Sequence, residues 1–294
     1  MSIACTETTL SVNGYRLAAQ EWNPEGAIKV IACHGWLDNS ASFLRLAPLL
    51  TACHVLALDL PGHGCSDHKP QQATYNIWDD LVDIAAVADA MQWQQFHLLG
   101  HSRGAMMGLL LAAAMPERVH SLVMLDGLVP VPVEHADTAQ QLGRFIRDNL
   151  RGGKSYRAGY ESIDRAIQVR CKAIGMSEES ARPIVERALV LREGRYQWRS
   201  DSRLTNASAV KLTDSHNRAL LDSLQVPTLL LVTDRGVASQ DYFRALMDSY
   251  PKLNSQILRG SHHFHMESPA TDAAGEINRF YAGLGLGACA GEGS

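Results

Sequence analysis

Phe96-His97-Leu98-Leu99-Gly100-His101-Ser102-Arg103-Gly104-Ala105 reads as a strand, a tight turn and the start of a helix, with G-x-S-x-G at its centre. Apolar residues with strand character (Phe96, Leu98, Leu99) arrive at Gly100, and a helix-forming run from Ala105 through Met106, Met107, Leu109, Leu110 and Leu111 to Ala114 leaves. A turn this sharp holds Ser102 in a strained conformation and exposes its hydroxyl. A side chain at either flanking position would collide with strand or helix, and glycines at 100 and 104 avoid that collision. The pattern marks Ser102 as a candidate nucleophile.

Around this stretch the chain has the bulk for one large α/β domain or a core with an insertion: 294 residues, 46% of them hydrophobic. A net charge of −4 gives no whole-chain attraction to nucleic acid or to an anionic membrane. The first residues carry no basic segment followed by an apolar one, and no apolar run approaches the ~18 residues of a spanning helix, so the expectation is a soluble cytoplasmic protein. Cys5, Cys33, Cys53, Cys65, Cys171 and Cys289 lack C-x-x-C spacing. They read as reduced thiols packed as small apolar groups.

From the N-terminus, Thr8 to Val12 and Tyr15 to Trp22 flank Asn13-Gly14, a two-residue hairpin signal. Two short apolar runs follow, Lys29 to Cys33 and His54 to Leu58, each with the look of a strand buried on both faces. The first ends in His34-Gly35-Trp36-Leu37-Asp38-Asn39-Ser40, where Asn39 or Ser40 can cap a helix through Phe43, Leu46 and Leu50. The second ends in Asp59-Leu60-Pro61-Gly62-His63-Gly64, a turn without phosphate-loop spacing. A helix from Ile77, capped by Asn76, precedes the elbow strand, and Ser121 to Leu125 makes the next buried strand, ending at Asp126. Alternation of this kind predicts a mostly parallel sheet flanked by helices, with the ligand site beyond the carboxyl ends of its strands.

Between residues 128 and 221 helical periodicity replaces the alternation. This stretch is too long for a loop and is expected to be a helical cap, leaving 1–127 and 222–294 as the core. Residues 143–204 carry 14 Lys and Arg against 8 Asp and Glu. That excess belongs either to a solvated surface or to a cap that attracts anionic substrates. The sheet resumes at Val226 to Thr233, ends at Asp234-Arg235-Gly236, and is followed by a helix, a short strand at Ser255 to Leu258, the loop Gly260-Ser261-His262-His263-Phe264-His265 and a final helix.

A serine hydroxyl needs a histidine to take its proton and a carboxylate to orient that histidine. The order Ser102, then Asp126 or Asp234, then His262 supplies all three. The oxyanion formed on attack would meet the backbone N–H groups of Arg103 and Trp36. His263 and His265 form H-x-H, but no cysteine or acidic cluster at metal-site spacing joins them, so no metal is expected.

The motifs at His34-Gly35-Trp36-Leu37-Asp38-Asn39, Asp59-Leu60-Pro61-Gly62-His63-Gly64, Gly100-His101-Ser102-Arg103-Gly104 and Gly260-Ser261-His262 resemble those of the α/β-hydrolase superfamily. With Leu125-Asp126-Gly127-Leu128 and Tyr196-Gln197-Trp198-Arg199-Ser200-Asp201-Ser202-Arg203-Leu204, the chain is most similar to serine hydrolase-like proteins. The resemblance implies a serine hydrolase with a helical cap, no cofactor, and His262 as the base, in the pattern H-x-x-x-x-E-x-P; it does not imply a substrate, and a small-molecule acyl substrate is expected from the Ser102, acid and His262 set itself. A carboxylic ester cleaved through an acyl-enzyme is the leading expectation. A C–C bond hydrolase on the same residues and a non-catalytic ligand-binding member of the fold are the alternatives. Serine rather than aspartate at the elbow argues against epoxide hydrolases and haloalkane dehalogenases. Arginine at 103 departs from the usual apolar residue or glutamine, and either enters the cavity or pairs with a carboxylate. In the commonest pattern of the superfamily the acid stands two residues beyond Asp234, where this chain has Gly236; Asp126 is therefore the preferred acid and Asp234 the alternative.

Overall fold

The computed structural model describes residues 3–152 and 159–286. Cys289 lies outside the described residues, as do all but the first two residues of the Gly-rich stretch Gly285 to Ser294. The first hairpin, β1 (Cys5–Val12) and β2 (Tyr15–Trp22), turns at Asn13 and Gly14, both at positive φ (49° and 84°), as a two-residue connection requires. Then follow β3 (Ile28–Cys33), β4 (Cys53–Leu58), α1 (Ile77–Ala90), β5 (Phe96–His101), α2 (Arg103–Ala114) and β6 (Val119–Leu125). After an insertion come β9 (Thr228–Thr233), α7 (Asp241–Ser249), β10 (Ser255–Leu258) and α8 (Ala270–Gly283). Eight strands form one sheet in the order β1-β2-β4-β3-β5-β6-β9-β10. The six from β4 to β10 run parallel, and the hairpin is antiparallel at one edge.

Alternation along each buried strand divides the core in two. Ile31, Leu56, Leu98, Leu122 and Leu230 face a layer holding Ile84 of α1, Met107 of α2 and Phe243 of α7. Val30, Val55, Leu99, Val123 and Leu229 face Phe43, Leu46 and Ile277 of α8. Central strands buried on both sides are the reason these segments read as unbroken apolar runs.

Three features of the sequence reading change. The helix expected over residues 40–50 is two 3₁₀ turns, Ser40–Phe43 and Ala47–Leu49, with Pro48 opening the second; a proline lacks the N–H an α-helix would use there. Asn39 does cap the first turn, its side chain accepting from the Ala41 N–H at 3.1 Å. The insertion contains α3 (Thr138–Arg151), α4 (Ile163–Ile174), α5 (Glu178–Ala188) and α6 (Asp214–Ser223), but also a hairpin, β7 (Leu189–Arg192) and β8 (Arg195–Trp198). Glu193 and Gly194 turn that hairpin at positive φ. The last helix of the insertion does not stay with it: Leu221 of α6 lies in the core layer with α2, so α6 is the crossover helix between β6 and β9. Residues of α4, α5 and β7 form a small core of their own with Met266.

Polar ties hold the insertion over the carboxyl ends of the strands. Arg187 of α5 clamps the buried Asp59 carboxylate at 2.9 and 3.0 Å and reaches Glu7 at 2.7 Å. Asn39 donates to the Ile184 carbonyl at 2.8 Å, and Arg170 of α4 pairs with the buried Asp38. Arg203 spreads its guanidinium over Asp201 and the carbonyls of Lys69, Pro70, Gln71 and Ala73.

Candidate active site

The elbow forms where β5 meets α2. Ser102 sits at φ 53° and ψ −114°, a conformation that costs a non-glycine residue about 1–3 kcal/mol. Its N–H donates to the Leu125 carbonyl at 2.9 Å, so the neighbouring strand helps hold the strain. A Cβ on Gly100 would lie 2.3 Å from the Gly104 carbonyl oxygen, and one on Gly104 only 1.9 Å from that of Cys33. No side chain fits at either position, which is the reason for both glycines of the motif.

His262 arrives on the loop after β10. Its Nδ1 lies 2.6 Å from Oδ2 of Asp126, a fully buried carboxylate at the end of β6. The other oxygen of Asp126 accepts from the N–H of Thr233 at 2.9 Å and of Val237 at 3.1 Å, which fixes its plane toward the imidazole. Asp234 does not face His262; it accepts the Gly260 N–H at 3.0 Å and ties the β9 end to the loop that carries the histidine. A Cβ on Gly236 would stand 2.0 Å from Asp126 Oδ2. The absence of a side chain at 236 is what leaves room for the Asp126 carboxylate. Ser102 Oγ makes no hydrogen bond among the described residues, and Nε2 of His262 is likewise free.

The two backbone donors read from the sequence share one property: neither the Trp36 nor the Arg103 N–H has a partner among the described residues. For Trp36 the cause is the preceding peptide. Leu60 N–H donates to His34 Nε2 at 3.1 Å, so His34 carries its proton on Nδ1, which donates to the Gly35 carbonyl at 2.7 Å; the Asp38 N–H adds a second bond at 3.2 Å. A trans peptide points its N–H opposite to its C=O, so the Trp36 N–H is turned the other way. Arg103 opens α2, where the first N–H groups have no intrahelical partner.

Trp36, Ser102 and Arg103 line a cavity of about 450 Å³ whose other walls include Ile77, Trp78, Met106, Pro130 and Leu212. The Arg103 guanidinium is committed elsewhere, to Asp80 of α1 at 2.5 Å. Asp80 is buried, and a carboxylate 23 residues away in sequence gave no signal that it would take this charge.

Behind His262 lies a polar cluster whose members the sequence named without roles. Burial alone would raise the Asp38 carboxyl, but the His263 imidazole and the Arg170 charge bring it well below the usual carboxylate range. Burial pushes His101 down to about 4, so the ring is neutral and donates from Nε2 to the His262 carbonyl at 3.0 Å. His265 is also held neutral by burial, and His263 Nε2 lies 3.2 Å from Asp38. Asp38, His101 and His263 place ligand atoms within 4.8 Å of one another, a donor set a divalent ion accepts. Arg170, already bonded to Asp38, supplies positive charge at that spot and opposes a second cation there.

A family model for the alpha/beta hydrolase fold matches residues 29–156. A crystal structure of a hypothetical protein from Pseudomonas aeruginosa aligns with a TM-score of 0.87 at 36% identity, covering 95% of this chain and 98% of that one. A thioesterase domain from the curacin biosynthetic pathway aligns at a TM-score of 0.80 and 25% identity, covering 93% and 99%. Among curated sequences, a serine hydrolase-like protein of Dictyostelium discoideum is 30% identical over 277 residues, 87% of this chain and 76% of that one. Fold and elbow thus define an α/β hydrolase. The chain belongs to the serine hydrolase-like proteins of that superfamily. Among the described residues no helix is long and apolar enough to cross a membrane.

Proposed function

We propose that the protein hydrolyses a carboxylic ester or thioester through an acyl-enzyme on Ser102, with His262 as general base and Asp126 as the acid that orients it. The observation that carries this reading is the 2.6 Å contact between His262 Nδ1 and a buried carboxylate, with the His262 ring packed 4.7 Å from that of His101, the residue before the strained serine. That contact puts the proton of neutral His262 on Nδ1 and leaves Nε2 as the lone pair that takes the Ser102 proton. Oγ then attacks the acyl carbon, and the oxyanion accepts hydrogen bonds from the Trp36 and Arg103 N–H groups. His262 returns the proton to the leaving alcohol or thiol. Water, deprotonated by the same imidazole, releases the acid and regenerates Ser102.

The insertion acts as the cap, closing a largely apolar cavity of about 450 Å³, a volume suited to an acyl group of medium length. A thioester stands beside the ester because a structural neighbour at 25% identity is a thioesterase domain. Arg103, neutralised by Asp80, does not select for substrate charge. The test is turnover of an acyl series by wild type and Ser102→Ala, with oxygen and sulfur leaving groups and a diketone included. Loss of all ester and thioester turnover in Ser102→Ala supports the reading; hydrolysis of the diketone alone by the wild type overturns it.

A further inference from the structure

The amphipathic pattern of α3 is turned inside out. Its protein-facing side carries the half-buried Phe145 but is otherwise polar: Gln141 donates to the Ser208 carbonyl at 2.5 Å, Asp148 accepts the Ala207 N–H at 3.1 Å, and the amide of Asn206 donates to Asn149 Oδ1 at 3.2 Å. Its apolar side faces outward, with Leu142, Ile146 and Leu150 at i, i+4 and i+8 and exposures of 45, 48 and 83%. At 100° per residue these three form one stripe, and Arg144, Arg147 and Arg151 form a second beside it. All three arginines are exposed and have no ion-pair partner among the described residues.

We propose that α3 docks the protein on an anionic lipid surface, with Leu142, Ile146 and Leu150 entering the headgroup–acyl boundary and the three arginines facing lipid phosphates. An apolar stripe beside a basic one on a helix of 14 residues, too short to span, is the chemistry of a helix lying in a membrane interface. The net charge of −4 does not oppose this, because surface potentials act within a Debye length and the local charge on this face is positive. A second copy of this chain fits less well: an isologous pairing of two α3 helices would bring arginines against arginines, and Asp148 is turned inward. The residues that α3 grips, Asn206, Ala207 and Ser208, also line the Ser102 cavity, so docking sets the cavity wall beside the lipid.

The experiment is co-sedimentation of the full chain with vesicles of phosphatidylcholine alone and of phosphatidylcholine mixed with phosphatidylglycerol; it needs no turnover and stands apart from the hydrolase reading. The wild type is expected to pellet with the mixed vesicles and to be released by salt. Arg144→Gln, Arg147→Gln and Arg151→Gln together should weaken binding on the order of a hundredfold, at about fivefold per basic residue. Ile146→Glu should remove binding, and Leu150→Ser, at the most exposed of the three sites, weakens it without risk to folding. No pelleting of the wild type, equal pelleting with both vesicle types, or unchanged binding in the triple variant overturns the proposal. Self-association by light scattering that Ile146→Glu abolishes, without vesicle binding, assigns the face to a second copy instead and also overturns it.

Discussion

Replacing Gly236 by alanine adds one methyl group at a residue that does not line the Ser102 cavity, yet it should cost most of the activity. The new Cβ would stand 2.0 Å from Oδ2 and 2.4 Å from Oδ1 of Asp126, where ordinary contact begins near 3.4 Å. Carboxylate or loop must therefore move by more than an ångström. Asp126 is held by His262 at 2.6 Å and by the Thr233 and Val237 N–H groups at 2.9 and 3.1 Å, so a shift of that size breaks the bond to His262. The backbone φ of −111° at Gly236 lies outside the left-handed region, which makes the obstacle the carboxylate rather than the φ. By analogy with loss of the acid from a serine-protease triad, kcat on a short acyl ester should fall by about 10⁴. Asp126→Asn should fall by a similar factor, and the double variant should be little worse than either, because both act on one hydrogen bond. The assay is kcat with a thermal melt as the check on folding. A folded Gly236→Ala enzyme within tenfold of wild type refutes the placement of the acid.

Arg103→Met should leave the buried Asp80 without its partner and lower stability by about 3 kcal/mol. It should change KM for neutral and anionic esters alike; a selective rise for anionic esters would return Arg103 to substrate recognition. His263→Ala should lower the melting temperature by removing one of the two partners of the buried Asp38 carboxylate but cost far less kcat than His262→Ala, and equal losses would misplace the base. Stability should fall on acidification below pH 6.5. Burial pushes His97 and His101 down to about 4, so between 4 and 6.5 the unfolded chain binds protons that the native one does not, and stability rises with pH across that window. The slope is about 1.4 kcal/mol per unit for each imidazole near pH 5, readable as urea unfolding at pH 7 and pH 5. A flat profile would contradict the neutral buried rings.

The sequence made some of this legible and hid the rest for physical reasons. The elbow is readable because its geometry is enforced within five residues, Gly100 to Gly104, by contacts the motif itself creates. The parallel sheet is readable because strands such as Val30–Ala32 and Val55–Leu58 are buried on both faces and carry no polar interruption. The choice between Asp126 and Asp234 is harder, since it depends on how the ends of β6 and β9 align across the sheet; the glycine at 236 was the local clue. The hairpin at 189–198 escaped because only Leu189 of its eight strand residues is buried, so neither strand shows a clean alternation. The pairs Arg103–Asp80, Arg187–Asp59 and Arg170–Asp38 join residues 23, 128 and 132 positions apart, and no local pattern encodes them.

The central claim, that Ser102 is an activated nucleophile, is tested most directly by treating the protein with a fluorophosphonate and mapping the adduct by peptide mass. The account predicts stoichiometric labelling of Ser102, lost in His262→Ala with the fold intact. A wild-type protein that stays unlabelled, or carries its label on another residue, would contradict it.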